Sequence, residues 1–147
     1  MNASLPLAIT QGDPAGIGPE IVAKAFRDAP QHMRGCFVVG DVATLRRAAA
    51  CIERPGRPSL PVACVTALAD LVQVPPRCLP VWQLPGLGAT PLPWGQISAE
   101  AGRAAAACVR WAAQAALAGQ IAGLVTAPLH KESLAADAAL PLIADAF

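Results

Sequence analysis

Three short segments hold most of the residues able to do chemistry. The first reads Gly12-Asp13-Pro14-Ala15-Gly16-Ile17-Gly18-Pro19-Glu20 and follows an apolar run. Glycine accepts positive φ and lets a ligand approach the backbone. A helix start behind such a loop offers free N–H groups to an anion. A substrate phosphate or a dinucleotide can use that geometry, and a tight turn that binds nothing has the same composition. The spacing G-x-G-x-x-G is absent, so this is not the Rossmann fingerprint.

The second segment, Thr126-Ala127-Pro128-Leu129-His130-Lys131, also follows an apolar run. Ligands in open α/β sheets sit at the carboxyl ends of strands. Thr126, His130 and Lys131 are suited to a phosphate, and His130 can shuttle a proton. A polar surface loop with a solvated lysine fits the same residues. The third segment, Gly95 to Arg103, reads as a capped helix start with Glu100 and Arg103 on the outer face.

The elements that position these segments alternate. Leu5 to Thr10 predicts a buried strand, and a helix is expected from about Pro19 to Arg27. Pro19 suits a first turn, and Glu20 complements the helix dipole. Cys36 to Val39 predicts a second strand, followed by a helix through about Cys51 capped by Asp41. Leu60 to Thr66 and Cys78 to Leu84 are expected strands among Pro-rich connections. Gln96 to Ala118 is the clearest helix, with Ser98 as N-cap and Gly119 as its stop. Ile121 to Val125 predicts another buried strand, and a last helix starts near Lys131. Strands apolar on both faces, alternating with helices, imply an α/β fold with a largely parallel sheet.

Composition narrows the function classes. The chain has 147 residues, 54% hydrophobic and 14% charged, which fits one domain or part of one. A net charge of +1 gives no basic field for nucleic acid or an anionic membrane. Apolar runs are interrupted well before a membrane span, and Met1 to Leu7 lacks the pattern of a secretory signal. A cytoplasmic location is the expectation. The 5 cysteines include no C-x-x-C pair, so neither a disulfide framework nor a zinc knuckle is expected. Most are expected as small buried apolar residues. The histidines are His32 and His130, too few for a typical multi-histidine metal site.

Taken in order, three stretches resemble the 4-hydroxythreonine-4-phosphate dehydrogenase family of pyridoxine biosynthesis. They are Ala8-Ile9-Thr10-Gln11 running into the Gly12–Glu20 segment, then Gly95–Arg103, then Val125-Thr126-Ala127-Pro128-Leu129-His130-Lys131-Glu132-Ser133-Leu134. The resemblance spans roughly residues 5 to 136, and the opening block is its most diagnostic part. It implies a three-layer α/β/α fold similar to isocitrate and isopropylmalate dehydrogenases, here incomplete. It implies oxidation of a phosphorylated hydroxy acid by NAD or NADP, then loss of carbon dioxide. A divalent metal held by histidines (Zn, Mg or Co) and a homodimer with the site at the subunit interface are also implied. Gly12, Asp13, Gly16 and Gly18 would shape a loop beside the ligand cleft. Thr126, His130 and Lys131 would line its other side, as substrate-binding residues. No catalytic residue and no metal ligand is assigned.

The sequence also departs from that pattern. Such chains continue after the His-Lys pair into a Gly-His-Thr-Glu motif, and here residues 139–147 read ALPLIADAF instead. Residues 137–147 are therefore expected to be a divergent tail, of the kind a frameshift or a premature stop leaves. The family's histidine ligands have no counterpart here, and its members are more than twice this length. Residues 1–147 are read as one N-terminal part of a dehydrogenase domain, without turnover by itself. Two other readings stand beside this one: a non-catalytic remnant binding a phosphorylated ligand or a partner, and a dehydrogenase of four-carbon phosphorylated sugar acids.

Overall fold

Short apolar runs separated by helices leave the backbone one economical solution, parallel strands joined by crossovers on the faces of the sheet. The computed structural model describes residues 4–88 and 90–136. Its strands are β1 (Leu7–Thr10), β2 (Cys36–Gly40), β3 (Val62–Val65), β4 (Leu79–Gln83) and β5 (Gly123–Thr126). They form one sheet in the order β3-β4-β2-β1-β5, with every neighbouring pair parallel. The helices are α1 (Gly18–Asp28), α2 (Val42–Cys51), α3 (Ala99–Leu117) and α4 (Lys131–Ala135), and a 3₁₀ segment covers Leu68–Gln73.

The alternation of side chains along the strands divides the core into two layers. On one face Val22 and Phe26 of α1 and Leu45 of α2 pack on Val38, Leu79 and Val81. On the other, Cys108, Ala112 and Ala115 of α3 pack on Ala8, Phe37 and Val39. Trp111 of α3 meets the Phe37 ring edge-on at 6.2 Å and lies 4.7 Å from Trp82. The result is the expected three-layer α/β/α arrangement.

The caps account for where the helices begin. Asp41 accepts from the Thr44 amide at 2.8 Å, and Ser98 accepts from the Ala101 amide at 3.1 Å. Each satisfies a donor that the first helical turn leaves open. Element types match the sequence reading, but several bounds move inward. β3 covers Val62–Val65 rather than residues 60–66, and α3 starts at Ala99, three residues after Gln96. The 3₁₀ segment was not anticipated, because an isolated short turn carries no periodic signal.

Two expectations about burial are corrected. β3 and β5 lie at the edges of the sheet and are only partly buried, and Val125 is 49% exposed. Among the cysteines, Cys108 is buried, Cys36 and Cys78 are intermediate, and Cys51 and Cys64 are exposed. Cys64 lies on an edge strand and Cys51 ends a surface helix, so neither position has a second layer to cover it. No helix among the described residues is long and apolar enough to cross a membrane. The divergent tail, residues 137–147, lies outside the described residues.

Candidate ligand cleft at the carboxyl ends of the strands

The chain passes from β1 to β2 on one side and later from α3 to β5 on the other. The carboxyl ends of β1 and β5 are therefore adjacent strand ends from which the chain leaves in opposite directions. Such a switch point is where open α/β sheets bind ligands. The glycine-bearing loop leaves β1 here, and the Thr126–Lys131 turn leaves β5.

The two turns interlock through their backbones. Asp13 N–H donates to the Pro128 carbonyl at 3.0 Å, and Ala127 N–H donates to the Thr10 carbonyl at 3.3 Å. Gly12 adopts φ +74°, and a Cβ there would sit 2.5 Å from the Pro128 oxygen. A Cβ on Gly18 would lie 2.5 Å from the Gln11 carbonyl oxygen and 3.4 Å from Ala127 Cβ. Both glycines thus let the loop close against its neighbours, and only Gly12 also needs a left-handed backbone. The buried Asp13 carboxylate accepts from Ala15 N–H at 2.8 Å, which folds the loop back on itself. Asp13 consequently organises the loop from inside. Gly16 is exposed at the tip, two residues before α1 begins.

A strap covering residues 90–95 lies against this loop. Gly95 N–H donates to the Ala15 carbonyl at 2.7 Å. Arg47 of α2 clamps both pieces: Nη1 donates to Leu92 O at 2.6 Å, and Nη2 donates to Pro14 O at 3.2 Å. Its guanidinium also stacks 4.4 Å from the centre of the Trp94 ring. Burial lowers the Arg47 pKa, and the Asp41 carboxylate and Cys51 oppose that shift. The sequence contained no signal for this role, because the contacts come from two segments, each more than thirty residues from Arg47 in the chain.

Beside the loop lies a cavity of about 220 Å³. Gln11, Asp41 and Thr44 line it at the strand ends, and Glu100 and Arg103 line it from α3. Gln11 is fully buried, and its Oε1 accepts from Asp41 N–H at 2.9 Å. Its Nε2 is buried without a hydrogen-bond partner among the described residues. A buried, unpaired donor is costly unless something accepts from it. Asp41 Oδ2 is already taken by the Thr44 amide and hydroxyl, each at 2.8 Å, and Gln83 Nε2 approaches Oδ1 at 3.3 Å. Glu100 and Arg103 are exposed, as expected of an outer face, and both also border this cavity.

Thr126, His130 and Lys131 are all exposed and do not line that cavity. Thr126 ends β5 in register with Thr10. His130 is the N-cap residue of α4 without a side-chain cap bond, and Lys131 is the first residue of that helix. The structure therefore brings the two turns together but separates the Gln11 cavity from these three side chains. A metal fits poorly here: among the described residues no group of three His, Cys, Asp or Glu side chains gathers to hold one. A nicotinamide group fits in part, through the glycine-bearing loop and the unpaired Gln11 donor. The cavity itself is smaller than the roughly 300–1,000 Å³ of typical ligand pockets and so takes only a piece of such a cofactor.

Known proteins resemble this chain over most of its length. A 4-hydroxythreonine-4-phosphate dehydrogenase of Trichlorobacter lovleyi is 34% identical over 137 residues, covering 91% of this chain and 39% of the relative. A D-threonate 4-phosphate dehydrogenase of Salmonella typhimurium is 36% identical over 129 residues, covering 87% and 38%. The crystal structure of 4-hydroxythreonine-4-phosphate dehydrogenase from Klebsiella pneumoniae superposes with a TM-score of 0.77 at 35% identity, covering 94% of this chain and 42% of that one. The chain thus spans about two-fifths of the length of the relatives it matches. The family model described as pyridoxal phosphate biosynthetic protein PdxA matches residues 32–141, and with the shared fold this shows that the chain belongs to that family.

Proposed function

We propose that this chain forms the first half of the ligand cleft of an NAD- or NADP-dependent dehydrogenase acting on a phosphorylated hydroxy acid. The substrate in this reading is 4-phosphohydroxy-L-threonine, in pyridoxal 5′-phosphate biosynthesis. A bound nicotinamide would take the hydride released by the secondary alcohol, whose hydroxyl proton would leave to a base. The β-keto acid formed then loses carbon dioxide. The cofactor supplies the hydride acceptor, and the protein orients it.

The observation that carries this reading is the interlock of the 12–18 loop with the 126–131 turn beside a buried, unpaired Gln11 Nε2. Gly12, Asp13, Gly16 and Gly18 hold the loop against the sheet, so that its surface can meet the cofactor or the substrate. Gln11 Nε2 donates to a ligand oxygen. Thr126 and His130 offer polar contacts, and Lys131 offers positive charge to the substrate phosphate. No metal step is assigned to these residues, because they do not assemble a ligand set. A homodimer and a cytoplasmic location complete the reading.

A second substrate is favoured by a specific observation. Relatives named D-threonate 4-phosphate dehydrogenase match at 35% to 36% identity, about as well as those named for hydroxythreonine phosphate. Both acids carry a terminal phosphate and a secondary hydroxyl, so one cleft half serves either.

The test is calorimetric titration of the 147-residue chain with NAD⁺ and with each phosphorylated acid, alongside an NADH absorbance assay containing Mg²⁺ or Zn²⁺. The expected result is ligand binding, weakened by Gln11→Leu, with no detectable NADH. Absence of binding to any of these ligands would refute the assigned cleft. Sustained NADH production would show that this chain carries the chemistry alone.

A further inference from the structure

A cavity of about 480 Å³ lies away from the cleft just described. It sits at the amino ends of the strands, bordered by Pro6 before β1, Cys36 at the start of β2 and Cys78 before β4. Its walls include Phe26, Met33, Leu71 and Val74, and Arg34 and Arg77 stand among them. A smaller cavity of about 150 Å³ shares Phe26 and Arg77 with it and adds Arg54, Arg57 and Ser59. Arg77 is thus the common rim of an apolar hollow and a basic one.

The charges at the smaller cavity are unbalanced. Asp28 is the carboxylate there, and Arg27 holds it through two bonds of 2.7 Å. This pairing is also the leading cause of the lowered Asp28 pKa. Lys24 pairs with Glu20 and Arg27 with Asp28. Asp28 feels Arg54 and Arg57 only as weaker Coulombic neighbours, and among the described residues no carboxylate forms a close ion pair with Arg54, Arg57 or Arg77. Three like charges around one hollow repel one another unless an anion joins them.

Arg77 adds an independent sign. Among the described residues it is the non-glycine residue with positive φ, at +62°. Glycine or asparagine would hold that turn with less strain, and residues held in sparsely populated backbone regions concentrate at ligand sites. The backbone there holds an unfavourable residue that lines both cavities.

We infer that this end of the sheet is a second binding site, for an organic phosphate whose phosphoryl group bonds Arg54, Arg57 and Arg77 and whose apolar body enters the larger cavity. Guanidinium forks match phosphate oxygens geometrically, and Phe26, Met33 and Val74 give the remainder of the ligand an apolar wall. The smaller cavity has room for a phosphoryl group, being about five times the volume of a liquid water molecule at ~30 Å³ each. The site is independent of the proposed dehydrogenase cleft, which lies at the opposite ends of the same strands.

Calorimetric titration of the 147-residue chain with inorganic phosphate and with phenyl phosphate, at fixed ionic strength, tests this. Phenyl phosphate is expected to bind about tenfold more tightly than phosphate, from the apolar wall. Arg57→Ala is expected to weaken both ligands about tenfold, the usual loss for a charge-assisted bond. Arg77→Gly relieves the backbone, so it should raise the melting temperature while weakening both ligands. A purely structural Arg77 would leave their affinities unchanged. The inference is overturned if the wild-type chain shows no saturable binding, or if both arginine variants bind as the wild type does. It is also overturned if binding is lost in Lys131→Ala and kept in the arginine variants, because the phosphate would then occupy the other cleft.

Discussion

The amide of Asp13 donates to the carbonyl of Pro128 at 3.0 Å, and this bond joins the turn after the first strand to the turn after the last described strand. It crosses more than a hundred residues of chain. Without it, the glycine-bearing loop and the Thr-Ala-Pro-Leu-His-Lys segment would be two unrelated surface features.

Replacing Gly12 should break that junction. Alanine there must adopt φ +74° and place its Cβ 2.5 Å from Pro128 O. Gly12→Ala is expected to cost about 2–4 kcal/mol, combining backbone strain with the displaced contact. Gly119→Ala is the control, since φ is +69° there but no atom lies within 4 Å of the added carbon. It should cost only about 1–2 kcal/mol. Urea unfolding of both variants gives the comparison, and equal losses would remove the claim of a tight junction.

The α3–α4 contact depends on Gly102. A Cβ at that position would collide with the Ser133 carbonyl, and Leu134 packs nearby against Ala106. Gly102→Ala is expected to push α4 away and destabilise by about 1–3 kcal/mol, despite the better helix propensity of alanine. Limited proteolysis should then cut near His130 and Lys131 earlier than in the wild type. An unchanged cleavage pattern with unchanged stability would contradict the close packing.

Arg47 should be hard to replace even by lysine. Its guanidinium bonds Leu92 O and Pro14 O and stacks on Trp94, and one ammonium cannot reproduce that fork. Both Arg47→Lys and Arg47→Ala are expected to release the 90–95 strap. Trp94 is already 52% exposed, so the readout is iodide quenching of its emission, compared with a Trp94→Phe background. Quenching unchanged from the wild type in Arg47→Lys would show that charge alone suffices.

Cys108 sets a pH dependence. Burial is the first cause that raises its pKa, from 9.0 to about 12. The unfolded thiol ionises near 9 while the folded thiol stays neutral. Its contribution is therefore intact below about pH 9 and is lost as pH climbs from 9 to about 12. One pH unit inside that window corresponds to about 1.4 kcal/mol. Urea midpoints between pH 8 and 10 should fall less steeply in Cys108→Ala than in the wild type. In the native state Cys51 and Cys64 should react with a thiol reagent well before Cys108. Parallel pH slopes in the two proteins would refute the assignment.

Much of the architecture was legible because its causes are local. Asp41 and Ser98 announce helix starts through side chains that bond amides three residues on. Apolar runs such as Cys36 to Val39 announce strands, and the glycine-bearing loop announces a strand-to-helix turn. The order of the three motif segments was enough to point to the family. What the residues alone left open was which surfaces those segments share.

Tertiary structure decided the rest, because the deciding contacts join residues distant in sequence. Only the strand order places Gly12 under Pro128, and only packing shows Arg47 holding both Pro14 and Leu92. Glu100 and Arg103 read as outer-face charges until the sheet brought Gln11 opposite them across one cavity. The exposure of Cys51 and Cys64 likewise follows from their places on a surface helix and an edge strand. Local propensity sets which element each segment becomes. Burial, cavity and hydrogen-bond partner depend on which elements become neighbours, and that is a property of the assembled sheet.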